Sequence, residues 1–237
     1  SEIVSAQRAQ AWGEVARRLA HEIKNPLTPI QLSAERLAMK LDGRLAQTDQ
    51  ALLSKSVKTI VDQVDAMKRL VNEFRDYARL PQAELAPVKL NALVRDLMQL
   101  YVSEHQTAPV QVQLDDAAPP VWGDAQQLRQ VIHNLLQNAL DACEGSPEPE
   151  VTLLTQYSTN SQRVRLIVRD SGTGFPDAIL KRAFEPYVTT KPKGTGLGLA
   201  IVKKILDEHQ GQIVIENLMQ PEGPVGARVS ISLPLAA

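Results

Sequence analysis

From Leu53 to Ala78 the apolar residues Leu53, Val57, Ile60, Val64, Met67, Val71, Phe74 and Ala78 follow one another in alternating steps of four and three. That alternation is the a/d stripe of helices lying side by side in a left-handed bundle, and an unbroken stripe of this length predicts a long helix. The preceding stretch repeats the alternation at Leu27, Ile30, Ala34, Leu37 and Leu41, while Val15, Leu19, Ile23 and Leu27 step by four throughout. DGRLAQTD, Asp42 to Asp49, supplies a turn between the two helices. Two such helices cannot cover both of their apolar faces, so the hairpin is expected to pair with a second copy into a four-helix bundle, a homodimer. The alternative is packing of the hairpin on the rest of its own chain, which suits a long straight stripe less well.

Inside the first helix lies HEIKNPLTPI, His21 to Ile30. Pro26 deprives the carbonyl of Glu22 of its helical donor, and Pro29 does the same to Asn25. The flanking WGEVARRLA and QLSAERLAMKL are rich in strong helix formers, so the prolines interrupt sequence that otherwise favours helix. The step of the stripe changes at the same place, and a bend is expected there. A helix with packing as its sole task has little reason to carry this segment.

PQAELAP, Pro81 to Pro87, reads as a linker, and beyond it the texture changes. Val110–Leu114, Arg163–Val168, Gln212–Glu216 and Arg228–Leu233 alternate as strands do. Helical stretches lie between them at Leu90–Glu104, Asp124–Cys143 and Gly196–His209. The expected architecture is a helical hairpin over residues 1–82, then an α+β domain over 83–237 with helices on one face of a mixed or antiparallel sheet. The net charge of −1 and pI near 6.4 give no electrostatic case for nucleic acid or anionic membrane as the main partner. The single cysteine, Cys143, excludes an internal disulfide framework and suits a reducing compartment. No apolar run approaches the roughly 18–20 residues that span a bilayer, and no signal peptide is visible. The chain opens with Ser1 directly in helical sequence, as expected of a piece of something longer whose other part can hold membrane spans.

Three segments of the second half concentrate residues that packing does not require. In HNLLQNALDA, Asn134 and Asn138 share a helix face, and amide oxygens are hard-cation ligands of the kind Mg²⁺ accepts. Such a pair alone is more often a solvated face. In DSGTGFP, Asp170 ends a strand and precedes Gly172 and Gly174. A carboxylate there can accept from an exocyclic amine such as that of adenine, although the segment alone reads better as an ordinary strand-exit turn. In TTKPKGTGLGLAIVKKI, Gly194, Gly196 and Gly198 lead into a helix, a phosphate cradle of freed N–H groups beside Lys191 and Lys193. The spacing is neither the Walker nor the dinucleotide pattern. The three together, in order and separated by strands, make a nucleotide site.

This order of N-box, DxGxG and GxGxG resembles the Bergerat ATP-binding fold shared by histidine kinases, gyrase, heat-shock chaperones and mismatch-repair ATPases. FEPYVTTK, Phe184 to Lys191, resembles the F-box of the histidine kinase lid, and HEIKNPL resembles the phosphoacceptor H-box of sensor histidine kinases. The wording LAHEIKNPLTPIQLSAERL is most similar to nitrogen-regulation sensor kinases of the NtrY type, then of the NtrB type.

The resemblance implies that His21 is phosphorylated from ATP and hands the phosphoryl group to an aspartate of a response regulator, of the nitrogen-control class that activates σ54 transcription. It implies that Glu22 orients or deprotonates the imidazole and that Asn25 positions a water for dephosphorylating the regulator. Asn138 corresponds to the Mg²⁺-binding asparagine, with Asn134 one turn before it, and Asp170 to the adenine-binding aspartate. Gly172, Gly174, Gly194, Gly196 and Gly198 correspond to the flexible and phosphate-contacting glycines, with Thr195 and Leu197 among them. Many relatives carry a basic residue three after the Mg²⁺ asparagine where this chain has Asp141, so Lys191 is expected to supply that cation. Phe184 and Tyr187 fall on the lid, either as its small core or as a docking surface. The implied location is cytoplasmic, as the cytoplasmic part of an inner-membrane sensor, with no nucleic-acid or membrane contact by this stretch itself. Two rivals are an ATPase clamp without phosphotransfer, which leaves HEIKNP unexplained, and an inactive dimeric binding module, which leaves the intact motifs unexplained.

Overall fold

The computed structural model describes residues 2–104, 110–189 and 195–236, without the side chains of residues 2–6, 8–10 and 102–104. The chain divides into two compact units that meet in sequence at Pro81 and Gln82.

The first unit is a hairpin of α1 (Glu2–Leu41) and α2 (Gln47–Ala78). α1 runs for 40 residues through Pro26 and Pro29. Both prolines are exposed, on a surface where water can take up the carbonyls they leave unpaired. Gln47–Asp49, expected in the turn, form the first turn of α2, where the Asp49 carboxylate suits the positive helix end. Residues 42–46 make the turn, with Gly43 at φ 68°.

Each stripe read from the sequence is split in two by the structure. Leu27, Ala34, Val64 and Val71 are buried, whereas Ile30, Leu37, Ile60 and Met67 are 42–54% exposed. Upstream, Val15, Leu19 and Ile23 are exposed too, and Ala16 and Ala20 take the buried positions. Small residues allow close approach on that side: a Cβ on Gly13 would lie 3.4 Å from the Ala78 carbonyl oxygen. Between the helices the Lys68 ammonium donates to Gln31 Oε1 at 2.8 Å, and Trp12 packs edge-on against Phe74 with centroids 6.4 Å apart. Alternate rungs therefore hold the hairpin together, and the remaining ones form an uncovered apolar stripe.

The second unit contains β1 (Ala86–Val88), α3 (Leu90–Glu104), β2 (Val110–Gln113), β3 (Val121–Gly123), α4 (Ala125–Ala142) and β4 (Val151–Ser158). It continues with β5 (Arg163–Asp170), α5 (Asp177–Leu180), α6 (Gly198–Glu208), β6 (Gln212–Gln220) and β7 (Gly223–Pro234). The main sheet has the order β2-β4-β5-β7-β6, with β2 parallel to β4 and every other pair antiparallel. β1 pairs with β3, so Ala86 and Pro87 of the expected linker belong to a strand. β4 was not anticipated, although its buried Val151, Leu153 and Thr155 alternate with the period of a strand.

α4 and α6 present Leu128, Ile132, Leu135, Leu136, Ile205 and Leu206 to Leu153, Leu166, Ile231 and Leu233 of the sheet, all nearly inaccessible. At about 1.5–3 kcal/mol per fully buried aliphatic side chain, this layer is the main source of the unit's stability. Polar ties fix its edge. Asn91 on α3 donates to the Asp115 carbonyl and accepts from Thr155, whose hydroxyl in turn accepts from Asp115 N–H.

The start of α4 is fixed by Asp124. One carboxylate oxygen accepts from the N–H groups of Gln126 (3.0 Å) and Gln127 (3.1 Å), and the other from Glu84 (3.0 Å). Its own N–H donates to Nε2 of the buried His209, whose Nδ1 lies 2.8 Å from the Ile205 carbonyl. Nδ1 therefore carries the proton, and the end of α6 is tied to the beginning of α4. Burial pushes the Asp124 carboxyl up, but the N–H groups of Glu84, Gln127 and Gln126, with His209 nearby, hold it below the usual carboxylate range. Asp124→Ala is expected to destabilise the unit by about 1 kcal/mol, the usual cost of a lost N-cap, read from the urea midpoint at pH 7. A carboxyl held low stabilises fully above its unfolded value of about 3.9, and the contribution fades as pH falls through the folded one. The difference between wild type and variant should therefore shrink in acid.

Candidate functional site

In the first unit, His21, Glu22 and Asn25 all lie on the exposed surface of α1, with His21 and Asn25 one turn apart. The Glu22 carboxylate sits 3.5 Å from the Arg18 guanidinium, so its recorded partner is a residue one turn back and not the adjacent imidazole. The i,i+4 spacing of a helix favours that pairing over one between neighbours.

In the second unit, β5 delivers Asp170 at its C-terminal end, between Val151 of β4 and Ala227 of β7. The residue is 8% exposed, and Oδ1 accepts the Gly172 N–H at 2.9 Å, closing a turn on its own carboxylate. A Cβ on Gly172 would run into the Ala142 carbonyl, so the turn rests directly on the last turn of α4. Gly174 follows at φ 73°, a conformation that favours glycine.

α4 brings its two asparagines to the start of α6. Asn134 Nδ2 donates to the Gly198 carbonyl at 3.3 Å. A Cβ on Gly198 would sit 3.8 and 3.9 Å from the Asn138 amide atoms. Gly196, at φ 71°, backs onto the F-box segment: its carbonyl accepts the Tyr187 N–H at 3.0 Å, and a Cβ there would lie 2.7 Å from Tyr187 Cα. Leu197 is completely buried and anchors the glycine run in the core. Phe184 is half-buried and Tyr187 is 55% exposed, at φ 66°. Thr195 is half-buried, and Lys191 and Gly194 lie outside the described residues.

Asn134, Asn138, Asp170, Gly172, Gly174, Gly196, Leu197 and Gly198 thus gather around α4, the end of β5 and the start of α6. Sequence reasoning missed two contributors. Ser171 ties the turn to the segment before β4, its hydroxyl accepting from Glu150 N–H and donating to the Glu148 carbonyl. Asn217 on β6 holds Phe175. Neither has a local signal beyond its polarity, because the partners are distant in sequence.

The chemistry on offer is a nearly buried carboxylate acceptor, an amide pair and glycine turns that leave backbone N–H groups and a helix N-terminus approachable. Such a set suits a purine amine at one end and phosphates with a hard cation at the other. The donor set fits Mg²⁺ as amide oxygen completed by phosphate and water. Among the described residues no three His, Cys, Asp or Glu side chains gather into a metal cluster. The second unit thus has the build of a nucleotide-binding domain.

Residues 123–237 match the family described as histidine kinase-, DNA gyrase B- and HSP90-like ATPase, and residues 11–83 match the His Kinase A phospho-acceptor domain. Nitrogen regulation protein NtrY of Azorhizobium caulinodans is 41% identical over 98% of this chain and 30% of its own length. Full-length ShkA in complex with AMPPNP superposes with TM-score 0.67 at 26% identity, over 94% of this chain and 46% of that one. ThkA in complex with the response regulator TrrA gives TM-score 0.66 at 26% identity, over 98% of this chain and 64% of that one. The chain belongs to the sensor histidine kinases, and several of its relatives in sequence are of the NtrY type. It spans less than a third of the length of the Azorhizobium relative. No helix among the described residues is long and apolar enough to cross a membrane.

The glycines differ in what they tolerate. Gly172→Ala must displace the Ala142 backbone, at an expected cost of about 1–3 kcal/mol read as a lowered thermal midpoint. Gly198→Ala, with 3.8 Å of clearance, should leave the midpoint nearly unchanged.

Proposed function

We propose that this chain is the phosphotransfer core of a sensor kinase: residues 83–237 bind Mg-ATP, and His21, within residues 1–82, takes the terminal phosphoryl group. The observation that carries the reading is the convergence of Asp170, Asn134, Asn138 and Gly198 from three elements distant in sequence, on a chain whose α1 exposes His21. The match of residues 11–83 to a phospho-acceptor domain favours phosphotransfer over an ATPase clamp.

Asp170 accepts from the adenine amine, and its Gly172 bond holds the carboxylate in place for this. Asn138, with Asn134 holding the start of α6, would ligate the Mg²⁺, which supplies charge neutralisation at the phosphates. Gly194, Thr195, Gly196, Leu197 and Gly198 wrap the phosphates with backbone N–H groups, and Lys191 adds positive charge there. Positioning and charge dominate such transfers. An imidazole nitrogen of His21 attacks the terminal phosphorus, the bond to the bridging oxygen breaks, and ADP leaves with that electron pair. The ring proton passes to Glu22, once its carboxylate leaves Arg18, or to water. The phosphoryl group then moves to an aspartate carboxylate of a response regulator of the nitrogen-control, σ54-activator class. Asn25, one turn along the exposed surface, positions a water for the reverse regulation, dephosphorylation of that regulator.

The uncovered stripe of Ile30, Leu37, Ile60 and Met67 supports a homodimer, because a second hairpin buries it as a four-helix bundle. This core would lie on the cytoplasmic side of an inner-membrane sensor, the relatives' greater length leaving room for the further segments such a sensor needs.

Incubation with Mg-ATP should leave acid-labile, base-stable phosphate on the wild-type chain and none on His21→Ala, which should bind nucleotide normally. Phosphate retained by His21→Ala would reject the assignment. Asp170→Asn should weaken ATP binding by roughly 10- to 150-fold, as expected for a lost hydrogen bond to a charged group. Lys191→Ala should slow phosphate incorporation at saturating ATP, measured by single-turnover labelling.

A further inference from the structure

We infer that Asn217 is a positioning residue of the nucleotide site, clamping the Gly174–Phe175 end of the turn that begins at Asp170; this rests on the reading of that turn as the adenine-binding one. Asn217 Oδ1 accepts the Phe175 N–H at 2.8 Å, and Nδ2 donates to the Phe175 carbonyl at 2.7 Å. One side-chain amide thus satisfies both backbone groups of one loop residue, as a neighbouring strand would. The orientation of the amide is forced, since exchanging its oxygen and nitrogen would set donor against donor and acceptor against acceptor. A solvated strand asparagine would make neither bond.

The backbone of β6 and β7 is built around this contact. Asn217 pairs with Ala227, but Met219 pairs with Pro224, so the ladder slips by one residue immediately after the asparagine. Bulges of this kind re-aim side chains beside functional sites. Gly226 lies in the slip at φ 147°, and a Cβ there would run into the Asp170 carbonyl. A Cβ on Gly174 would lie 2.8 Å from Asn217 Oδ1 and 3.2 Å from the Gly226 carbonyl. The end of β5, the glycine turn and the bulge are therefore in mutual contact, with Asn217 at the junction. The rung before it is pinned as well, Arg228 donating from Nε and Nη2 to Glu216 Oε1.

The two ends of the turn are held by different means. Asp170 and Gly172 close the upstream end on themselves. The downstream end passes through Gly174, which has wide conformational freedom, and is fixed by Asn217. Releasing it loosens the wall against which the nucleotide packs without touching the reacting atoms.

The test uses the whole 237-residue chain. Asn217→Ala should weaken binding of a fluorescent ATP analogue and raise KM for ATP about tenfold, the scale of one to two lost hydrogen bonds. The maximal rate of phosphate incorporation should stay within about twofold of wild type by the same reasoning, since no transition-state contact is lost. Asn217→Asp keeps the acceptor but sets a carboxylate oxygen against the Phe175 carbonyl, and should bind no better than Asn217→Ala. Affinity within about twofold of wild type in either variant, less than the change one hydrogen bond makes, overturns the clamp. So does a loss of maximal rate with KM unchanged. Should the variants fail to fold, hydrogen exchange decides: the Phe175 amide of the wild type must exchange slowly, and exchange at the rate of an open loop overturns the proposal. A wild type that binds no nucleotide overturns the site reading and this inference together, whereas unaffected variants of a nucleotide-binding wild type overturn the inference alone.

Discussion

The turn after β5 lies against the last turn of α4 so closely that position 172 has no room for a side chain. Much of the second unit follows from that contact. It sets where Asp170 ends its strand, and it brings the helix carrying Asn134 and Asn138 alongside the carboxylate. α4 is located at three points along its length: its start by Asp124 and the His209 end of α6, its middle by Asn134 on the first carbonyl of α6, and its end by Gly172. A helix fixed in this way gives its half-buried Asn134 and Asn138 amides a defined position, which ligand geometry requires.

The elements whose signal is periodic and local were legible in the sequence. α2 and α4 announce themselves by spacing, and β5 and β7 by alternation. β1 was not, because Pro87 and its neighbours read as a linker, and prolines within a short run argue against a strand unless it lies at an edge. β4 is harder to read because Leu153 and Leu154 stand side by side in VTLLTQYS and blur its alternation. The stripes on the hairpin were correct as stripes, yet periodicity cannot say which rungs face the partner helix. Upstream of His21 the split follows size, Ala16 and Ala20 fitting the close side while Val15 and Leu19 are left outside, but farther along Leu27 is buried and Leu37 exposed.

The site divides along the same line. Asn138, Asp170 and the glycines stand out in sequence because amides, a strand-end carboxylate and closely spaced glycines are unusual together. Their supporting residues do not. Ser171, Asn217 and His209 act through partners tens of residues away, and each is an ordinary polar residue until the sheet is assembled. Glu22 is a case of the reverse kind, prominent beside His21 in sequence but directed to Arg18 by helix geometry.

The bond from Lys68 to Gln31 has a consequence for how the two hairpin helices can slide. Both side chains are half-buried on the contact between the helices, where the pair forms a polar rung close to buried Ala34 and Val64. Displacing α2 by one heptad would carry the ammonium to position 24 or to position 38. The first is Lys24, a like charge, and the second is Ala38, a methyl group with nothing to accept a proton. Longitudinal slippage is thereby penalised in both directions, and one ammonium gives an otherwise repetitive seam a unique alignment.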